Sequence, residues 1–214
     1  MKSQLSSDQR RGLFVSIDGP SGAGKTTIVR HLAQTLIAQG EQVHVTAEPS
    51  GGPIGKLASE LTETVTGHAL ACLYAADRYH HVEHEIKPLV ASGHVVLSDR
   101  YLASGLVVQR FDNVDLGFLW QLNEDVEVPD LTVILEADPN VVAERLEARG
   151  PHNRFQVTPG SSHTEAAYYK DAQEHLVAAG FNVLTVDCTK RAAEQSAAII
   201  ASELRALAGL ARVR

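Results

Sequence analysis

Leu13-Phe14-Val15-Ser16-Ile17 runs into Asp18-Gly19-Pro20-Ser21-Gly22-Ala23-Gly24-Lys25-Thr26-Thr27, and from Thr26 to Ala38 apolar residues recur at helical spacing. A short apolar run, a glycine-rich turn and an amphipathic helix succeed one another, which is the context that G-x-x-x-x-G-K-[ST] needs in order to act as a phosphate loop. Glycines let successive backbone N–H groups turn inward around a phosphate, and the helix N-terminus adds its positive dipole end. Gly19, Ser21, Gly22, Ala23, Gly24, Lys25, Thr26 and Thr27 are therefore the candidate nucleotide-phosphate contacts. Lys25 is expected to reach the β- and γ-phosphates, and the Thr26 hydroxyl to ligate Mg²⁺.

Outward from the loop the same alternation repeats. Gly40 stops the first helix, Val43-His44-Val45-Thr46 reads as a second strand, and Pro49, Gly51, Gly52, Pro53 and Gly55 make a turn-rich connection. Helices are predicted over about Lys56–Glu63 and Ala69–Ser92. His94–Ser98, Leu131–Leu135 and Val183–Val186 are further strands, continuous apolar runs suited to a parallel sheet covered on two faces. Asp138-Pro139 reads as an N-cap followed by proline at the first helical position, opening a helix toward Arg149, and a last helix is predicted from about Ala192 to Leu210. The expected fold is α/β, a mostly parallel five-stranded sheet with helices on both faces. Residues 1–12 read as a flexible tail and 13–214 as one domain. Gly150–Thr164, rich in Pro, Gly, Ser and His, reads as a mobile loop, and about 145–165 as a lid over a site.

The chain has 214 residues, 44% of them hydrophobic, and a net charge of −7 from 19 basic and 26 acidic side chains. That size supports a packed core without disulfides or metals, and the charge disfavours a nucleic-acid polymer as partner. A small phosphorylated ligand needs only a few local donors, and 13 of the 19 basic residues are arginine, whose planar fork suits phosphate oxygens. Cys72 and Cys188 lie far apart and form no metal-spaced pair, which fits a reducing cytoplasm. No apolar run is long enough for a membrane span. His80, His81 and His84 offer no four-ligand set and read as a solvated helix face.

A GTPase would need a D-x-x-G switch and an [NT]-K-x-D guanine reader; neither occurs, and Thr189-Lys190-Arg191-Ala192 lacks the aspartate. A small phosphotransferase remains. From about Leu13 to Cys188 the chain resembles the thymidylate kinase family. Ala47-Glu48-Pro49-Ser50-Gly51-Gly52-Pro53-Ile54-Gly55 is similar to its R-E-P-G-G-T-P-I-G segment, and Leu73-Tyr74-Ala75-Ala76-Asp77-Arg78 to its L-F-A-A-D-R helix. Ser98-Asp99-Arg100-Tyr101 with Ser104 and Gln109 resembles D-R-Y-x-x-S-x-x-A-Y-Q. Leu135-Glu136-Ala137-Asp138-Pro139, with Arg145, Arg149 and Arg154-Phe155 after it, resembles the strand end and lid.

The resemblance implies a kinase that moves the γ-phosphoryl group of ATP, with Mg²⁺, to a nucleoside monophosphate, most simply dTMP. A deoxynucleoside or small-metabolite kinase, or a non-catalytic ATP-binding module, would share the scaffold. Arg100 would bind the acceptor phosphate, and Asp99 would hold Mg²⁺ or its waters with Thr26. Glu136 is a second acidic candidate, better read as capping the next helix. Glu48 would lie near the acceptor. Tyr74 and Arg78, four apart on one helix face, would address the base, with Tyr101, Ser104 and Gln109 completing the pocket. Arg149 and Arg154, ahead of Arg145, would close over the transfer. Many members are homodimers, so a second copy is the implied partner. The chain departs from the family around the acceptor: Ser21 stands where many members carry an acid that meets the sugar 3′-hydroxyl, Ala47 replaces arginine, Gly52 threonine, and Val107-Val108 the Ala-Tyr pair. These changes widen the expected acceptors to modified pyrimidine nucleotides.

Overall fold

The computed structural model describes residues 11–150, 154–156 and 160–211. Five strands, β1 (Leu13–Asp18), β2 (Val43–Ala47), β3 (Val95–Asp99), β4 (Leu131–Glu136) and β5 (Val183–Asp187), form one sheet in the order β2-β3-β1-β4-β5. Every pairing is parallel, with Val15 opposite Leu97 and Leu131, and Ala47 opposite Asp99. Strand residues alternate between faces. Val15, Ile17, Leu97, Leu131, Val133 and Leu135 pack against α1 (Lys25–Ala38), α7 (Pro139–Arg149) and α9 (Ala193–Ala211). Phe14, Val96 and Ile134 face the other way, toward α3 (Gly67–His81), α5 (Leu102–Val108), α6 (Leu116–Leu122) and α8 (Ser161–Ala178). The strands are apolar on both sides because both faces are covered.

The helix expected over about 56–63 begins earlier, because Pro53, read as part of the turn-rich connection, opens α2 (Pro53–Leu61). As expected, Asp138 caps α7 by accepting from Asn140 N at 2.8 Å. Glu136, by contrast, is exposed and takes no part in that cap. The helix expected over 69–92 is interrupted. α3 passes into a π turn, Val82–Ile86, before α4 (Lys87–Ala91). Pro88 lacks an N–H and its ring would strike the carbonyl one turn back, so the turn before it widens. α5 and α6 fill the stretch that periodicity leaves unassigned; at seven residues each they are too short for spacing to show. The loop predicted over 150–164 is shorter than that, because α8 already begins at Ser161, and Ser162, Glu165, Tyr169, Ala172 and Leu176 form its buried stripe. Of the predicted lid and tail, 151–153, 157–159 and 1–10 lie outside the described residues.

Candidate active site

The sheet order places β1 and β3 side by side while the connection leaving each strand runs in the opposite direction, so a crevice opens at their carboxyl ends. Out of β1 comes the phosphate loop. Gly19, Gly22 and Gly24 all have positive φ, and a Cβ on Gly19 would stand 2.7 Å from Leu135 O, so the loop can pass β4 only with glycine there. Lys25 folds back into its own loop, donating to Gly19 O at 2.7 Å and Pro20 O at 2.9 Å. Burial, aided by the neighbouring Arg100 charge, lowers its pKa to about 7. Thr26 Oγ1 donates to Asp99 Oδ2 at 2.5 Å, joining the first helical turn to the end of β3.

Arg100 continues β3 with φ 78°, a left-handed conformation that non-glycine residues adopt rarely and that functional sites tend to retain. Its backbone N donates to Ile17 O of β1 at 2.9 Å, and Ser98 Oγ of its own strand holds its carbonyl at 2.6 Å, so the unusual backbone is fixed by two hydrogen bonds. Asp18, which lies just outside the phosphate-loop motif, organises the turn after Arg100. Its Oδ1 accepts from Tyr101 N, Ser104 N and Ser104 Oγ at 2.7–2.9 Å, anchoring the start of α5.

A cavity opens beside Arg100. Ser21, Arg100 and Glu165 line it near the loop, and Tyr74, Val108, Gln109, Phe111 and Phe155 line it elsewhere. Gln109 is buried, and its Oε1 has no hydrogen-bond partner among the described residues. Tyr74 OH is 2.9 Å from Thr62 Oγ1, and burial raises its pKa.

Other expected site residues are placed differently. Arg78 is not on the cavity wall; at 2% exposed it pairs with Glu48 at 2.9 Å and donates to Asn123 Oδ1 and Tyr101 O. It stands behind Gly105, where a Cβ would come within 2.8 Å of Arg78 Nη2. Gly105→Ala is therefore expected to displace a buried charged pair and to cost about 2 kcal/mol, lowering Tm by about 4–8 °C. A thermal melt unchanged from wild type would contradict this packing. Tyr101 contributes to the wall, but its ring is in the core, edge-on to Phe14 at 4.9 Å, and its hydroxyl donates to Glu127 O at 2.9 Å. Glu48 does line the cavity, held by Arg78 and, at 3.4 Å, by His81. His81 is thus buried rather than on a solvated face, with Thr46 Oγ1 2.8 Å from its other nitrogen.

Among the lid arginines, Arg154 forms a bidentate pair with Asp112 at 2.5 and 2.6 Å and donates to Thr62 O at 2.7 Å. It ties its segment to the turn after α2 rather than to the phosphate loop, and it stacks on Phe155 at 4.1 Å. Arg145, the one ranked lower from sequence, touches the loop, donating to Gly22 O at 3.4 Å and to Thr189 O at 3.2 Å. Arg149 ends α7, with its side chain outside the described residues. Sequence reasoning missed Glu165, whose carboxylate accepts from Ser21 N and Oγ. The helical stripe of α8 was the available signal, masked by the polar residues that precede it.

A family model described as Thymidylate kinase matches residues 17–199. The chain belongs to the thymidylate kinase family. It is 34% identical over 203 residues to a probable thymidylate kinase of Pyrobaculum calidifontis, covering 94% of this chain and all of that one. It is 35% identical over 187 residues to a probable thymidylate kinase of Pyrobaculum aerophilum, covering 86% and 92%. Over 152 residues it is 38% identical to a thymidylate kinase of Halothermothrix orenii, covering 67% and 73%. As expected of a thymidylate kinase fold, phosphate loop and cavity share one edge of a parallel sheet. No helix among the described residues is long and apolar enough to cross a membrane.

Proposed function

We propose that the chain phosphorylates thymidylate, converting dTMP and ATP to dTDP and ADP. The observation that carries this reading is that Arg100 and the phosphate-loop residue Ser21 line one cavity, so an acceptor phosphate held by Arg100 lies beside the donor phosphates held by the loop. Phosphoryl transfer leaves little covalent work for protein groups, so positioning and charge stabilisation carry the rate. The backbone from Gly19 to Thr27 cradles the ATP phosphates. Lys25 exchanges two loop carbonyls for phosphate oxygens and gains charge as it does so. Thr26 and Asp99, hard oxygen donors already in contact, fit Mg²⁺. When bound, that ion neutralises charge on the β- and γ-phosphate oxygens. Ser104, 3.5 Å from Arg100 Nη1 and fixed by Asp18, steadies the guanidinium.

Base selection falls to Gln109 and the aromatic wall around Tyr74, Phe111 and Phe155. Gln109 Oε1 is an acceptor without a donor among the described residues, and thymine N3–H is a donor of the required kind. Gln109→Leu is expected to raise KM for dTMP about tenfold with KM for ATP unchanged, the worth of one buried hydrogen bond. Equal changes in both constants in steady-state assays would contradict it. Arg149 completes the lid in this reading, with Arg145 at the loop and Arg154 shaping the wall through Phe155. A cytoplasmic setting and a homodimer belong to the same proposal and rest on the family resemblance. An assay of the purified protein with ATP, Mg²⁺ and a panel of nucleoside monophosphates and free nucleosides tests it. Conversion of dTMP to dTDP ahead of the other acceptors is expected; phosphorylation of nucleosides alone would overturn it.

A further inference from the structure

The two peptide N–H groups on either side of the Arg100 α-carbon are both taken by β1. Arg100 N donates to Ile17 O at 2.9 Å, and Tyr101 N donates to Asp18 Oδ1 at 2.9 Å. Consecutive residues of one strand thus bracket a backbone whose φ of 78° is costly for a residue with a Cβ. The same Asp18 oxygen accepts from Ser104 N at 2.9 Å and from Ser104 Oγ at 2.7 Å. Tyr101, at the N-cap position of α5, supplies no side-chain cap, and Ser104 is the third helical residue. Asp18 therefore caps α5 from another strand, taking N–H groups that have no acceptor within the helix.

Asp18 is fully buried, and the nearby charges of Lys25 and Arg100 offset its own. Its place in the chain gives these bonds their meaning. It is the last residue of β1, paired with Ile134 in the sheet, and the next residue, Gly19, opens the phosphate loop. One carboxylate oxygen thereby joins the strand that carries the donor loop to the turn that carries Arg100. Ser104 Oγ, held by that oxygen, also lies 3.5 Å from Arg100 Nη1, so backbone and guanidinium are both placed through Asp18. We propose that Asp18 is a positioning residue for phosphoryl transfer: it holds Arg100 in its left-handed backbone and so fixes the acceptor phosphate relative to the donor phosphates. This rests on the reading of Arg100 as the acceptor-phosphate residue of a thymidylate kinase. Without the Oδ1 bonds the turn relaxes toward a commoner backbone, and a shift of about 1 Å in a reacting group is enough to cost about 10²-fold in rate. None of the three bonds runs to the phosphate loop, so ATP binding is expected to survive their loss.

A double-mutant cycle tests it. Asp18→Ala and Asp18→Asn are each made in the wild-type and in the Arg100→Ala background, and kcat/KM for dTMP is measured. In the wild-type background Asp18→Ala is expected to lower it about 10²-fold, with KM for ATP nearly unchanged. In the Arg100→Ala background the same change is expected to cost less than about threefold, because a residue that acts through Arg100 has nothing left to place. Asp18→Asn keeps Oδ1 as a neutral, weaker acceptor and is expected to lose about tenfold, again only where Arg100 is present; it decides the matter if the alanine variant does not fold. Equal losses in the two backgrounds, or an Asp18→Ala enzyme as active as wild type, would overturn the proposal. Should the acceptor panel show another monophosphate to be preferred, the cycle is run with that one, so a failure of the dTMP reading appears in the wild type alone and leaves the cycle able to decide.

Discussion

Arg100→Ala is expected to lower kcat/KM for dTMP by about 10³-fold, with ATP binding retained. The size reflects the removal of one preorganised charged donor from a phosphoryl-transfer site. Arg100 is set apart from an ordinary surface arginine by its backbone, held at φ 78° by bonds to Ile17 O and from Ser98 Oγ. The protein keeps a disfavoured conformation there, which makes sense if the guanidinium must project at the crevice between β1 and β3. Arg100→Lys is expected to recover only a small part of the loss, because an ammonium cannot offer two parallel donors to a phosphate. Steady-state kinetics with nucleotide binding measured separately checks both; an alanine variant with wild-type turnover would remove Arg100 from the acceptor site.

Lys25→Met is expected to reduce turnover by at least about 10³-fold, by the same electrostatic argument applied to the donor phosphates. Its pH behaviour distinguishes it from a general disruption. In the free protein burial, with Arg100 nearby, holds the Lys25 pKa at about 7, against an ordinary value of 10.5. Bound phosphates favour the charged amine, so above about pH 7 the protein must take up a proton to bind ATP. The Lys25 contribution to affinity is then expected to be flat below pH 7 and to fall by up to about tenfold per pH unit above it, until the pKa of the bound state is reached. Calorimetry at pH 8 in buffers of different ionisation enthalpy is expected to record net proton uptake on ATP binding in wild type and none from this site in Lys25→Met. The linkage to folding has its own sign. Between about pH 7 and 10.5 the unfolded chain binds more protons at this residue than the folded one, so its contribution to stability rises with pH across that window. Lys25→Met is therefore expected to fold at least as stably as wild type near neutrality, and a destabilised, inactive variant would undercut the catalytic interpretation.

Arg78 and Arg154 illustrate how far a motif carries. Tyr74 and Arg78 are four residues apart in the helix, as their spacing implies, yet Tyr74 lines the cavity while Arg78 is sealed behind Gly105. Arg78 meets Glu48, 30 residues earlier, and Asn123, 45 residues later. Nothing in helical periodicity reports partners at such separations. Arg154 was recognisable as a lid arginine, but the nearness of Asp112 depends on how the turn after α5 packs against the turn after α2, and that contact redirects its guanidinium. Arg145 meets the loop carbonyl of Gly22 because α7 packs over the loop, with Leu146 against the same glycine.

The sequence by itself determined the parallel α/β sheet, the phosphate loop with Lys25 and Thr26, the Asp99-Arg100 strand end and the Asp138 cap. Each of these is written in contiguous residues whose periodicity, glycine positions or capping chemistry act locally. Only the tertiary structure decided which charged groups face the acceptor, since that depends on contacts between distant segments. Glu165 lies 144 residues beyond Ser21 and reaches it only through the packing of α8, and Glu48 meets its partner Arg78 30 residues later, contacts that no local pattern reports.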